Sequence, residues 1–450
     1  MTKPRLHTNA WFWLSALTSA LILLLVLLLS WLMLQRGLGL FWPQDLVQFR
    51  YQQAGESRLI AGEVISRQQV SVAQLAAAGL DASAPAERIL VRQGYLPSGQ
   101  GGYRWFWLAQ ISEWQQPPQL TLVREQQLGD LYALQLVATA DGYQLLLADG
   151  HQLNVAASQL LLLLPTNQLS WPAKLKLYFK QWWQFLSTEP REANSAGGIL
   201  PAIVGTVLSV LLMALLVAPI GIMAGIYLHE YARDSRLVRL VRLSVHNLAG
   251  VPSVVFGVFG LGFFVYVLGG SIDKLFYAGQ LPQPTFGSPG LLWVSLTLAL
   301  LTLPVVIVAT EEGLSRIPQS LRLGGYALGA TKAEVLYKLI LPQARPAMLT
   351  GLILAVSRAA GEVAPLIFVG VVKYAPVLPV SASWPYLHLE QQIMTLGFQI
   401  YDVGLQSSNA DAAEPRVFAI ALVLLLLIGA LNLLAMRLRR HYRQLQQRSS

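Results

Sequence analysis

The stretch Ser357-Arg358-Ala359-Ala360-Gly361-Glu362-Val363-Ala364-Pro365 sits inside an otherwise apolar run from Met348 to Val372. Such a run is long enough to cross a bilayer, which takes about 20 residues. A charge at mid-bilayer costs roughly 2.5–3.5 kcal/mol on insertion scales, so it is a functional hypothesis by default. Arg358 and Glu362 are four residues apart, so on a helix they share a face and can pair. Pro365 lacks an N–H, and its ring crowds the carbonyl of Gly361, so a kinked or opened helix is expected beside the pair. A carbonyl freed at that depth is tolerated only against protein or a watery cavity. These residues fit either an ion pair that joins two helices, a poor stabiliser as a rule, or a gated site for an anion.

The rest of the chain agrees with a membrane setting. Of 450 residues, 54% are hydrophobic and only 12% charged, against about a quarter charged in soluble domains. The net charge of +9 is read by location. Lys and Arg near span ends mark the cytoplasmic side, so the basicity does not point to nucleic acid. The absence of cysteine excludes disulfides, thiol catalysis and Cys-based zinc sites.

Six spans are expected. The first runs from Trp11 to Leu34, with Lys3 and Arg5 before it and Trp11, Trp13 and Trp31 near its interfaces. It exceeds a typical signal-peptide core and no small-x-small cleavage site follows, so it is read as retained, with the N-terminus inside. Residues 35–165 change character, with charges of both signs, Gly, Pro and many Gln. Asp141-Gly142 and Asp149-Gly150 lie between short apolar runs, a strong hairpin signal. Tyr103-Arg-Trp-Phe-Trp reads as a strand. A small β-rich extracytoplasmic domain is expected there, with His151 as a lone, solvent-exposed or packed histidine. Residues 166–195 form a linker. Within it, Trp171 to Leu186 alternates lysines with aromatics and fits a helix in the interface plane anchored by Trp182, Trp183 and Phe185, or an ordinary helix of the preceding domain.

The remaining five spans lie within 196–436. They are Gly198–Leu228, Leu248–Leu268, Leu291–Thr310, 348–372 and Arg416–Met436. Leu248–Leu268, the third of the six spans, is rich in glycine (Gly250, Gly257, Gly260 and Gly262), which lets helices approach closely in lipid. The loop after Leu228 carries Arg233, Arg236, Arg239 and Arg242. The loop 311–347 carries Arg316, Arg322, Lys332, Lys338 and Arg345, and the tail 437–450 opens Arg-Leu-Arg-Arg-His-Tyr-Arg. All three basic segments fall on one side, which makes both termini cytoplasmic.

The loop 311–347 is longer than a plain connector. Val335, Leu336, Leu339 and Ile340 recur at helical spacing. Gly329 can take the positive φ that ends one short helix. Thr331 can cap the next, with Glu334 three residues on, and Pro342 limits its length. Two short helices joined by a glycine make a rigid elbow able to pass a push from a soluble partner to the spans.

Gly324-Gly325, Gly329 and Leu339-Ile340-Leu341-Pro342 carry a resemblance to the EAA loop of ABC-importer permeases, which docks into the ATP-hydrolysing subunit. Leu323 stands where that family usually has Glu, and Gly324-Gly325 replace its two alanines. Further segments sharpen the likeness: Ala196-Gly-Gly-Ile-Leu-Pro-Ala-Ile-Val-Gly-Thr206, Gly250-Val-Pro-Ser-Val-Val-Phe-Gly257, Thr310-Glu-Glu312, Tyr326-Ala-Leu-Gly-Ala-Thr331 and Arg358-Ala-Ala-Gly-Glu362-Val-Ala-Pro365. Together they resemble the PstA-type permeases of phosphate importers over about residues 196–436. Many relatives have a basic residue before the Thr-Glu pair, where this chain has Val308-Ala309.

The resemblance implies an all-α polytopic permease fold with a β-rich domain inserted after the first helix. It implies a phosphate pathway past Arg358, Glu362 and Pro365, and ATPase coupling through Gly324, Gly325, Gly329, Leu339, Leu341 and Pro342. It also implies two ATPase chains that hold ATP and Mg, a sister PstC-type permease and an extracytoplasmic phosphate-binding protein, with no cofactor on this chain. A planar guanidinium can bind two phosphate oxygens at once. Glu362 can hold Arg358 when the site is empty and accept a hydrogen bond from a protonated phosphate oxygen. Another oxyanion (sulfate, molybdate or phosphonate) fits the same elbow. A sensor built on 35–165 lacks a cytoplasmic output domain. His229-Glu230 opens like a zinc-protease helix, but Arg233 stands where the second His belongs. No P-loop occurs, so ATP chemistry belongs to another chain.

Overall fold

The computed structural model describes residues 10–449, apart from 54, 55, 78, 81–84, 98–101, 127, 140, 192, 193, 195, 376, 408 and 409. Lys3, Arg5 and the side chains of Trp11, His441, Tyr442 and Arg443 lie outside the described residues. There are two compact units: Met1–Gly37 with Phe185–Gln406 and Arg416–Ser450, and Leu38–Gln184 with Ser407–Pro415.

Helix α1 (Ala10–Gly39) opens the chain, and its apolar stretch is exposed throughout. The second unit follows. Strands β1 (Leu46–Gln53), β2 (Glu56–Gln69), β3 (Glu87–Arg92), β4 (Tyr103–Trp107) and β5 (Ile111–Gln115) form one antiparallel sheet in the order β4-β3-β2-β1-β5. Short helix α2 (Val72–Ala77) links β2 to β3. Strands β6 (Thr121–Glu125), β7 (Gly129–Thr139), β8 (Gly142–Leu147), β9 (Gln152–Ala156) and β10 (Leu160–Leu164) form the other, in the order β10-β6-β7-β8-β9. Both Asp-Gly pairs sit where expected, between β7 and β8 and between β8 and β9. Gly150 takes φ +83 at the second turn, a conformation that costs glycine nothing. His151 is exposed, its ring beside Asp149 at 3.1 Å.

The two sheets share a core of Leu46, Ala61, Leu120, Leu122 and Tyr132. Beside it Asp130, buried on β7, accepts from Arg124 Nε at 2.5 Å and pairs with Arg92 of the other sheet. Burial alone would raise the Asp130 pKa, but the Arg124 hydrogen bond and the Arg92 charge hold its carboxyl below the usual range. Helix α3 (Trp171–Ser187) follows. Of its three expected anchors only Trp183 is exposed. Trp182 packs edge-on against Phe41 with centroids 5.1 Å apart, and Phe185 is buried.

In the first unit, a small ribbon of β11 (Pro190–Arg191) and β12 (Ala196–Gly197) leads to α4 (Leu200–Ile226), which ends in a π-helical turn, Tyr227–Tyr231. Helix α5 (Arg236–Leu248) is separate from the third span. That span starts later than expected, because Pro252 starts a new helix rather than continuing the old one. It consists of α6 (Ser253–Phe259), a π-helical stretch (Gly260–Gly269) and α7 (Gly270–Phe276). Then come α8 (Leu291–Ser315), α9 (Gln319–Ala327), α10 (Lys332–Glu334), a π-helical turn (Val335–Ile340), α11 (Leu341–Ala360), α12 (Leu366–Val369), α13 (Leu396–Leu405) and α14 (Ala410–Ser449). Among the described residues, six helical stretches are long and apolar enough to span.

Helix α8 is the hub of the unit and its most buried span. A Cβ on Gly221 or Gly225 of α4 would fall 2.8 Å from Val306 or 2.7 Å from Thr310, so these two helices touch backbone to side chain and run parallel. On the other face α11 runs antiparallel. A Cβ on Gly313 would lie 2.5 Å from the Ala347 Cβ, and one on Gly351 would lie 2.5 Å from the Ala309 Cβ.

Candidate functional site

Those two α8–α11 contacts share one register, and the register fixes the depth of the charged pair. Arg358 lies as far past Gly351 as Thr302 lies before Ala309. Arg358 is therefore level with Thr302, near the middle of α8. The expected span to Val372 is corrected here. Helix α11 does not kink at Pro365 but ends at Ala360, with Gly361 as its C-cap. Glu362 stands just beyond the helix, and Pro365 is the N-cap of α12. The residue before a proline disfavours helical φ and ψ, and Gly361 has the weakest helix propensity short of proline. Together they stop the helix rather than bend it.

The break is held by close packing. A Cβ on Gly257 of α6 would lie 2.7 Å from Cα and O of Pro365, and one on Gly397 of α13 would lie 2.8 Å from Val363 Cγ2. Irregular backbone at membrane depth needs such protein cover or water. Ser357 Oγ lies 2.7 Å from Asn432 Oδ1 and ties the last turn of α11 to α14.

The pair itself forms as the spacing requires. Arg358 Nε donates to Glu362 Oε1 at 3.4 Å. Among the described residues this is the one hydrogen-bonding or ionic partner of the guanidinium, so both Nη groups are free of protein acceptors. The Arg358 side chain is 37% exposed and Glu362 19%. A cation thus stands at half depth on an open face of the bundle, singly tethered by a carboxylate.

The elbow has the expected joint. Gly329 takes φ +80 and ends α9's turn, and Thr331 with Glu334 forms a capping box. The second helix is not short, however. It passes through the π-helical turn Val335–Ile340 and Pro342 straight into α11. A proline's missing N–H and its crowding of the preceding turn are accommodated by that wider turn. Gly325 faces inward, where a Cβ would lie 2.8 Å from Val335 and 3.0 Å from Leu339, whereas Gly324 meets nothing within 4 Å. Leu339 and Leu341 belong to the elbow's own core with Val335, Leu336 and Ile340. The glycines and leucines therefore shape the elbow. Its outer surface is formed by Leu323, at the position where the family usually has Glu, and by Tyr326, Leu328 and Tyr337, which no local pattern singled out; Leu328 is 90% exposed. Exposed leucines and tyrosines outside the helical stripe were the signal for it.

Residues 217–445 match the family described as "Binding-protein-dependent transport system inner membrane component". The chain belongs to that family. A phosphate transport system permease protein PstA 1 of Mycobacterium tuberculosis is 31% identical over 283 residues, covering 62% of this chain and 83% of that protein. The PstA of Mycobacterium leprae is 32% identical over 254 residues, 56% of this chain and 74% of that one. The PstA of Yersinia pestis is 37% identical over 184 residues, 41% and 56%. Family membership and six apolar helices make this a multi-pass inner membrane transport component, with partners of the ABC-transporter kind.

Other family-like residues hold this inner membrane component together. Thr206 Oγ1 accepts from Leu396 N at 2.9 Å and so fixes the start of α13. Thr310 fills the space left by Gly225. Glu311 accepts from Arg242 Nε at 3.2 Å. Ala309, half-buried, packs on Gly351.

Proposed function

We propose that this chain is a permease subunit of an ATP-driven phosphate importer. In this reading the ion passes Arg358 in the interval between this chain and a sister permease of PstC type. Arg358 carries the reading: a guanidinium level with the middle of α8, on an exposed face, with two Nη groups lacking acceptors among the described residues. Against acyl chains that charge costs several kcal/mol, so a second chain or water covers the face. A planar fork suits two oxygens of a phosphate, and Glu362 supplies an acceptor for its proton. Relatives named as phosphate permeases support the choice of ion.

The elbow's exposed Leu323, Tyr326, Leu328 and Tyr337 offer a docking surface to one of two ATPase chains, which hold the ATP and Mg. Leu323 makes that contact apolar. The β-rich segment follows the first span and the elbow the fourth, an odd and an even connection, which supports an extracytoplasmic place for residues 35–195, cytoplasmic termini, and access for a phosphate-binding protein. Uptake of radiolabelled phosphate by cells dependent on this chain tests the proposal. Competition by excess phosphate but not by sulfate, molybdate or phosphonate is expected; selective competition by one of the others would reassign the substrate.

A further inference from the structure

The inner turn of α4 is gripped by three cations from three different elements. The last carbonyls of a helix have no partner within it and form its negative end. Here Arg242 of α5 donates to Leu228 O at 2.7 Å. Lys332 of α10 donates to Glu230 O at 2.5 Å and stands 4.5 Å from the Tyr231 ring centroid. Arg322 of α9 reaches the Glu230 carboxylate at 2.8 Å, where the two side chains are only 16% and 10% exposed. The same guanidinium donates to Leu314 O and Ile317 O, each at 3.1 Å, at the inner end of α8.

One side chain on the elbow thus holds the inner ends of two parallel spans. Ion pairs at a surface do little, but a mostly buried, multiply bonded guanidinium fixes geometry. The first elbow helix also packs Leu321 into a core with Leu314 and Ile317 at the end of α8 and Ile222 and Ile226 of α4, while Leu323, Gly324, Tyr326 and Leu328 face outward; apolar contact alone lets these elements slide, and the Arg322 bonds fix their register.

We propose that Arg322 and Glu230 form a coupling strut, which makes the elbow and the inner ends of α4 and α8 move as one body when a nucleotide-driven partner pushes on the elbow. Both are positioning residues; neither touches the ion. The inference rests on the permease reading above. It predicts a defect in coupling rather than in assembly.

The test uses the complete importer reconstituted in proteoliposomes, with phosphate import and ATP hydrolysis measured side by side. Glu230→Gln keeps shape and removes charge; Arg322→Met removes the donors; Arg322→Lys restores a cation. For Glu230→Gln and Arg322→Met we expect co-purification of the ATPase and hydrolysis within about twofold of wild type, with at least a tenfold drop in phosphate imported per ATP. Arg322→Lys is expected to recover most of that ratio. An unchanged ratio in both charge-removing variants overturns the strut. So does a proportional loss of hydrolysis, import and ATPase co-purification, which marks a merely structural pair. If the wild-type importer moves no phosphate, the substrate reading fails instead, and the strut is tested in the same way with the ion that it does move.

Discussion

Replacing Arg358 with Gln removes the cation at half depth and leaves a shorter, uncharged polar side chain. A hydrogen bond to a charged group contributes about 1.5–3 kcal/mol. Two Nη groups have no acceptor among the described residues and can serve an oxyanion, so about 3–6 kcal/mol of stabilisation at the constriction is lost. At 1.4 kcal/mol per tenfold, uptake falls by roughly 10²–10⁴-fold. Arg358→Lys keeps the charge but loses the fork, so one such bond is lost and uptake falls about 10–10²-fold. The assay is initial-rate uptake of radiolabelled phosphate, with membrane levels of each variant matched by immunoblot. The double variant Arg358→Gln/Glu362→Gln separates the two roles of the pair. If Arg358 serves only to neutralise Glu362, removing both charges restores uptake, and that restoration would refute the anion-site reasoning. Near-normal uptake in Arg358→Gln alone would refute it as well.

Three further outcomes follow from the packing. Gly351→Leu drives a branched side chain into the Ala309 Cβ; overpacking costs about 1–3 kcal/mol, and reduced detergent-solubilised, monodisperse protein is expected, whereas Gly324→Leu, at a position with open space, leaves the yield unchanged. Asp130→Asn takes the shared carboxylate from Arg92 and Arg124, so hydrogen exchange of β6 and β7 amides should speed up by about 10–10²-fold at neutral pH, an opening cost lowered by about 1–3 kcal/mol. The wild-type carboxyl is held below the usual range, so its contribution is complete above about pH 4, the unfolded value, and is lost only as pH falls through the lower folded pKa. Leu328→Asp, at a 90% exposed position, should leave folding within about 0.5 kcal/mol yet abolish ATPase co-purification; retained co-purification would move the docking surface elsewhere.

The architecture was legible where it rests on period and punctuation. Apolar runs gave the number of spans and the bounds of most, though not the end of the third or the extent of the fifth, Asp-Gly pairs gave two hairpins, and Gly329 with Thr331 and Glu334 gave the elbow joint. What stayed hidden depends on partners far along the chain. Pro365 reads as a kink because local rules see only its own helix, yet Gly257 and Gly397 close on the break and let the helix stop. Pro342 reads as a stop because the wide turn at Val335–Ile340 leaves no compositional mark. The i,i+4 pairing of Arg358 with Glu362 survived the end of the helix, since a single residue past the cap still brings the carboxylate back. The grip of Arg322 on Glu230 joins residues 92 apart, beyond any local pattern.

The chain has no cysteine, so a single thiol can report directly on whether the break beside Arg358 lines a watery path. Gly361 is exposed, and a Cβ there meets only Arg358 O at 3.9 Å, so Gly361→Cys is accommodated. In the assembled importer this thiol should react with a small, charged, membrane-impermeant methanethiosulfonate, and saturating phosphate during ATP turnover should slow the reaction at least severalfold. A thiol that does not react, or that reacts at one rate with and without phosphate, would contradict an anion path past Arg358.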